Sequence, residues 1–114
     1  MELKLKKSKT ETYIVSIYGE LDLYNTQKLR ELVLKMIEKD VTKIIFDMKE
    51  TDYIDSTGLG IFIYIFSLAK SNQNLKLCMC NVYGSVKKVI ELSRLNYFFT
   101  IADSIEDAIN IVDN

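Results

Sequence analysis

The sequence of 114 residues contains no histidine, no tryptophan and no proline, and only two cysteines and four glycines. Without histidine, every catalytic triad or dyad built on imidazole is excluded, as is every histidine metal site. Without proline, slow X-Pro isomerisation drops out as a folding step. The cysteines, Cys78 and Cys80, form a C-x-C pair. Zinc takes four ligands, and no second pair completes the set. A disulfide between residues i and i+2 of one strand would be strained. The pair therefore reads as two small apolar side chains on one face of a buried strand, and free thiols suit a reducing compartment. An excess of charge is lacking too: 15 Lys plus Arg against 16 Asp plus Glu leave −1, whereas a broad nucleic-acid footprint needs a clustered basic excess. No hydrophobic run reaches the length of about 20 residues that spans a bilayer; the longest, Leu59 to Ala69, is broken by Ser67. Met1 to Lys7 is charged and alternating, unlike a signal peptide. The expectation is a cytoplasmic protein with no metal, no cofactor, no direct nucleic-acid partner and no membrane partner.

What remains is the composition of an ordinary globule, 48% hydrophobic and 27% charged, at a length that predicts one domain over residues 1–114. Leu3 and Leu5 alternate with lysines as in a half-buried strand, and Tyr13 to Tyr18 is a second β-rich run close enough to pair with it as an antiparallel hairpin. Gly19 to Asp22 reads as a loop. Asn25 or Thr26 can cap a helix running to about Lys39, whose apolar face is Leu29, Leu32, Val33, Met36 and Ile37. Lys43 to Met48 and Leu75 to Cys80 are continuous apolar strands of the kind buried in parallel sheets. A helix follows Gly84-Ser85, a short strand is expected from Tyr97 to Ile101, and Ser104 with Asp107 resembles a capping box opening a last helix. Strands alternating with helices predict parallel strands joined by helical crossovers. The expected fold is α/β, with a mixed sheet of about five strands and about four helices.

The segment from Thr51 to Leu68 is the most unusual. Asp52, Asp55, Ser56 and Thr57 lie at a strand end before Gly58-Leu59-Gly60 and a hydrophobic run. Propensity alone favours a strand over Ile61 to Phe66. Its length, a candidate N-cap among Asp55, Ser56 and Thr57, and the need for a crossover between two parallel strands favour a helix. Such a helix is apolar nearly all round, with Leu59, Phe62, Ile63 and Phe66 on one face and Ile61, Ile65 and Leu68 on another. The second face either packs on neighbouring helices or forms a patch for a partner. The two glycines would let another backbone approach the first turn. Ser56 then sits at a strand-to-helix junction, where ligands bind in open α/β sheets. It could be a nucleophile, although the sequence holds no imidazole base. It could instead accept phosphate, which adds about −1.5 to −2 charge and three acceptor oxygens.

Asp55-Ser56-Thr57-Gly58-Leu59-Gly60 resembles the D-S-[ST]-G-L-G signature of the STAS domain of bacterial anti-sigma factor antagonists. Gly19-Glu20-Leu21-Asp22 with Thr26 is similar to the family's G-x-[LI]-D-x-x-[TS] segment, and the likeness covers essentially the whole sequence. The resemblance implies a STAS-like α/β domain that is not an enzyme. It implies phosphorylation of Ser56 by an anti-sigma factor that is a serine kinase, and dephosphorylation by a PP2C-type serine phosphatase. It further implies that the unphosphorylated form binds the anti-sigma factor and releases sigma factor. Asp22, Thr26, Asp55, Thr57, Gly58, Leu59, Gly60 and Ile61 then lie at or near the partner surface. One departure is Ser93-Arg94-Leu95, where the family often has glycine, which bears on a helix C-cap. Two other readings remain open. One is a STAS scaffold or transporter-accessory module without the switch. The other is a small enzyme in which Asp22, Asp52 and Asp55 gather around Mg²⁺.

Overall fold

A computed structural model describes residues 1–114. The strands are β1 (Glu2–Lys7), β2 (Tyr13–Leu21), β3 (Lys43–Asp47), β4 (Thr51–Ile54), β5 (Lys76–Cys80) and β6 (Ile101–Ala102). The helices are α1 (Thr26–Glu38), α2 (Ser56–Ser71), α3 (Gly84–Leu92) and α4 (Ile105–Asp113). All six strands form one sheet, ordered β1-β2-β3-β5-β6 with β4 alongside β2. β1 pairs antiparallel to β2 and every other pairing is parallel.

The sequence expectation of an α/β fold with a mixed sheet and four helices holds, and three boundaries change. The predicted loop at Gly19 to Asp22 is instead the continuation of β2 to Leu21. There the strand leaves β3 and takes up β4 through a register shift between Gly19 and Glu20, with Gly19 at φ 91°. That left-handed conformation is one glycine adopts freely. β4 is the sixth strand: the stretch after Met48 turns at Lys49 and Glu50 and resumes beside β2, its Thr51 hydroxyl donating to the Ile17 carbonyl at 2.8 Å. Asp52, expected at a strand end, is the second residue of the four-residue β4. The strand expected at Tyr97 to Ile101 shrinks to Ile101 and Ala102, because Asn96 to Phe99 forms turns.

The segment from Ser56 to Ser71 is a helix despite its β-rich composition. Tertiary packing overrides propensity here. Leu59, Phe62, Ile65 and Phe66 enter the larger core with Val15, Ile17, Leu29, Val33 and Phe46. The Phe62 ring meets Phe46 edge-on at 5.3 Å between centroids. The expected second face divides: Ile65 is fully buried, while Ile61 and Leu68 pack half-buried at the margin of the same core beside Tyr64. Ile63, expected on the first face, is instead exposed. A smaller core on the other sheet face joins Ile14, Ile45, Cys78, Cys80 and Ala102 to Ala108 and Val112 of α4. Both cysteines are free and fully buried on one face, as the spacing predicts. Burial pushes the Cys78 thiol up to about 11, against a smaller pull from a backbone hydrogen bond at Ala102. Cys80 is pushed to about 12, by burial first and then by the Asp47 carboxylate and Cys78. No helix is long and apolar enough to cross a membrane.

Candidate functional site

Two helix N-termini and two strand ends converge around Ser56. β2 ends at Leu21, and Asp22 to Asn25 lead into α1. β4 ends at Ile54, and Asp55 leads into α2. Asp55 is the N-cap of α2: its Oδ1 accepts the Gly58 N–H at 2.9 Å. This satisfies one of the four N–H groups that a helix start leaves without partners. The other carboxylate oxygen, Oδ2, accepts the Leu23 N–H at 3.2 Å. One carboxylate therefore ties the start of α2 to the loop before α1. The Asp55 N–H in turn donates to the Leu21 carbonyl at 3.2 Å.

The loop is held from within as well. Asp22 Oδ1 accepts the Tyr24 N–H at 3.0 Å, an Asx turn. Asn25 accepts the Asp22 N–H at 2.8 Å and donates its amide to the Glu20 carbonyl at 2.7 Å. The Thr26 N–H donates to the Asp22 carbonyl at 3.2 Å. A loop fixed at so many points holds its side chains in place, and it presents Leu23 at 64% and Tyr24 at 91% exposure. Ser56 itself is exposed as the first residue of α2, with a hydroxyl that makes no internal hydrogen bond.

The structure sorts the predicted residues. Asp22, Thr26, Asp55, Thr57, Gly60 and Ile61 all gather at the two helix starts, and Thr26, Thr57, Gly60 and Ile61 share a groove between α1 and α2 with Arg30 and Tyr64. Gly58 and Leu59 turn inward instead. Leu59 is core, and Gly58 lies so close under the preceding strands that a Cβ would stand 2.6 Å from both the Leu21 carbonyl oxygen and Ile54 Cγ1. Of the two glycines, only Gly58 admits a close backbone; Gly60 faces open space. Sequence reasoning passed over Leu23 and Tyr24, although two large apolar residues inside the polar loop were the available signal. It also passed over Arg30, whose guanidinium stacks on the Tyr64 ring at 4.8 Å from its centroid.

The magnesium reading does not fit this geometry. The Asp22 and Asp55 carboxylates accept backbone N–H groups, Asp52 is held on β4 where its carbonyl takes the Ser85 hydroxyl, and no three acidic or thiol side chains converge.

Comparison with known proteins agrees with the motif. Residues 4–108 match the STAS domain family model. An anti-sigma-B factor antagonist of Staphylococcus aureus is 30% identical over 95 residues, covering 82% of this chain and 86% of that one. An anti-sigma factor antagonist from Mycobacterium paratuberculosis superposes with a TM-score of 0.87 at 17% identity, covering 99% of this chain and 94% of that one. The Bacillus cell fate determinant SpoIIAA in its phosphorylated form superposes with a TM-score of 0.72 at 23% identity, covering 96% and 97%. The chain belongs to the STAS-domain family, on its anti-sigma factor antagonist branch. That branch consists of non-enzymatic regulators, in agreement with the expectation that this protein is not an enzyme.

Proposed function

We propose that this STAS-domain protein is a cytoplasmic anti-sigma factor antagonist switched at Ser56. In its unmodified form it binds an anti-sigma factor that is also a serine kinase, and so releases sigma factor. Phosphorylation of Ser56 ends the binding, and a PP2C-type serine phosphatase restores it. The observation that carries this reading is the exposed, unbonded Ser56 hydroxyl at the start of α2, fastened through Asp55 to the loop that displays Leu23 and Tyr24.

The chemistry follows from that placement. A serine hydroxyl free of internal hydrogen bonds can enter a kinase site without disrupting the fold. The sequence holds no histidine to activate it, so the phosphoryl transfer is the partner's. The apolar Leu23 and Tyr24, with Ile63 further along α2, supply area for a docked partner. A phosphoryl group adds about −1.5 to −2 charge beside two carboxylates, Asp22 and Asp55. Burying that charge against an apolar contact without a cation costs several kcal/mol, of which about 2.7 kcal/mol already weakens binding a hundredfold. The α2 N–H groups can hold the phosphoryl locally, so the effect falls on the interface and not on folding.

The test is incubation with a purified serine-kinase anti-sigma factor of the same cell and Mg-ATP, read by intact mass. One phosphoryl group is expected, and none on Ser56→Ala. Equal labelling of Ser56→Ala would remove the assignment. The resemblance to related modules leaves a second function, a scaffold or transporter-accessory domain; recovery of a stable complex with transport components, unaffected by Ser56→Asp, would favour it.

A further inference from the structure

At the far end of the sheet from Ser56, β6 is too short to cover β5. Only Met79 and Cys80 have a strand partner on that side, with the Met79 N–H donating to the Thr100 carbonyl at 2.8 Å. Lys76 to Cys78 pair with β3 alone. Backbone groups of a strand alternate sides, so the Leu77 N–H and carbonyl point the same way as those of Met79, where no strand lies beside them. A cavity of about 310 Å³ fills this gap, between the end of α2 and the end of α4. Seven of its ten lining residues are hydrophobic, among them Phe66, Leu75, Leu77, Phe98 and Val112. Four of these are almost fully buried, so the cavity reaches the core: Phe66, Leu75, Leu77 and Val112 are at most 5% exposed.

The polar groups of this cavity are Lys70, Lys76 and Thr100, and no acidic residue lines it. Neither lysine is in an ion pair; the molecule's two are Lys7 with Glu11 and Lys43 with Asp113. Lys70 lies over the Phe98 ring at 5.1 Å and also complements the carbonyl end of α2. Lys76, on the strand, has no such role. A cavity of this size, lined mainly by hydrophobic residues with a few convergent polar groups, has the makings of a small-ligand site.

We propose that this cavity binds an apolar tail ending in a carboxylate, of medium-chain fatty acid size. The tail occupies the space between Phe66, Leu77 and Val112, and the carboxylate lies between Lys70 and Lys76 within reach of the Leu77 N–H. The occupant is a small carboxylate and not a peptide strand, because only Leu77 presents its N–H and carbonyl to the open edge, which would give a peptide no more than two ladder bonds. This site is independent of the Ser56 reading.

The experiment titrates the full-length protein with decanoate below its micelle range and follows backbone amide NMR shifts. Saturable shifts at Leu77, Thr100 and Ile111 are expected, with decanol and decyltrimethylammonium at least tenfold weaker. The double variant Lys70→Gln with Lys76→Gln should weaken decanoate at least tenfold. Ala69→Phe, which fills the cavity and keeps both lysines, should abolish the shifts while Ser56 and Leu23 amides stay unchanged. Equal binding of decanol, or shifts at Leu23 and Tyr24 in place of Leu77, would overturn the proposal. Tighter binding of an N-acetylated apolar tripeptide acid than of decanoate would overturn it in favour of the carboxyl terminus of a peptide.

Discussion

Gly58 and Gly60 stand two positions apart in one helix turn and have opposite surroundings. A methyl group at Gly58 meets the Leu21 carbonyl oxygen and Ile54 at 2.6 Å, the former being backbone that cannot give way cheaply. Gly58→Ala should therefore destabilise by about 1–3 kcal/mol, the usual cost of overpacking. At Gly60 nothing lies within 4 Å, so Gly60→Ala should stabilise by up to about 1 kcal/mol through helix propensity. Denaturant melts of the two variants check the sign of each. Cys78 and Cys80 offer a second residue-scale expectation. Their thiols, pushed up to about 11 and about 12, are almost wholly protonated at pH 8, and the thiolate is the reactive form. Alkylation of the native protein at pH 8 should be far slower than in denaturant; equal rates would contradict the burial. The signature residues were legible as a motif, but their division was not. The same glycine-rich pattern that sends Gly58 and Leu59 inward leaves Gly60 outside, and the position of Leu21 and Ile54 against the first turn, a tertiary contact, fixes Gly58.

Two helices in this protein end in left-handed residues that are not glycine. After α3, Arg94 at φ 58° sends its N–H to Glu91 and Leu95 sends its N–H to Ile90, both at 3.0 Å, which completes a Schellman motif. Asp40 at φ 66° does the same after α1, with Asp40 to Ile37 and Val41 to Met36 at 3.0 Å. The departure noted in the sequence at Arg94 thus changes the residue and keeps the cap. A side chain in this conformation costs about 1–2 kcal/mol, which glycine avoids. Part of that returns as backbone entropy lost from glycine. Arg94→Gly should raise the melting temperature by a few degrees, corresponding to about 1 kcal/mol in a domain of this size. An unchanged or lower value would mean the arginine is supported by contacts beyond its backbone. At this scale α1, α3 and α4 were legible from 3.6-residue periodicity, and α2 from its length, a candidate cap among Asp55, Ser56 and Thr57 and the need for a crossover; the cap of α4 was legible too, Ser104, whose side chain accepts the Asp107 N–H at 3.1 Å. β4 and the end of β2 were not. Glycine and acidic residues there read as loop, and the strand exists because β2 exchanges partners across the Gly19 bulge, a long-range event with no local pattern.

Across the whole molecule, stability and the proposed switch are kept apart. The larger core lies under α1, α2 and α3 and the smaller one under α4, while Ser56 contributes to neither. The carboxyl ends of the strands carry Glu20, Asp22, Asp47, Asp52, Asp55 and Asp103 with Lys49 among them, and the opposite end carries Lys39, Lys43, Lys70 and Lys76 with Asp40 and Asp113 among them. A net charge of −1 hides this polarity. A phosphoryl group on Ser56 would join the acidic end, yet α2 has no acidic residue in its first turn, so its N-terminal dipole offsets the repulsion by about 0.3–1 kcal/mol. Charge at Ser56 should therefore control partner binding without altering the fold. Wild type and Ser56→Asp can be compared for affinity to the serine-kinase anti-sigma factor, with melting temperatures taken alongside. At least a tenfold loss of affinity is expected, with a melting temperature unchanged within a few degrees. Undiminished affinity, or a loss of affinity that comes only with unfolding, would contradict a switch of this kind.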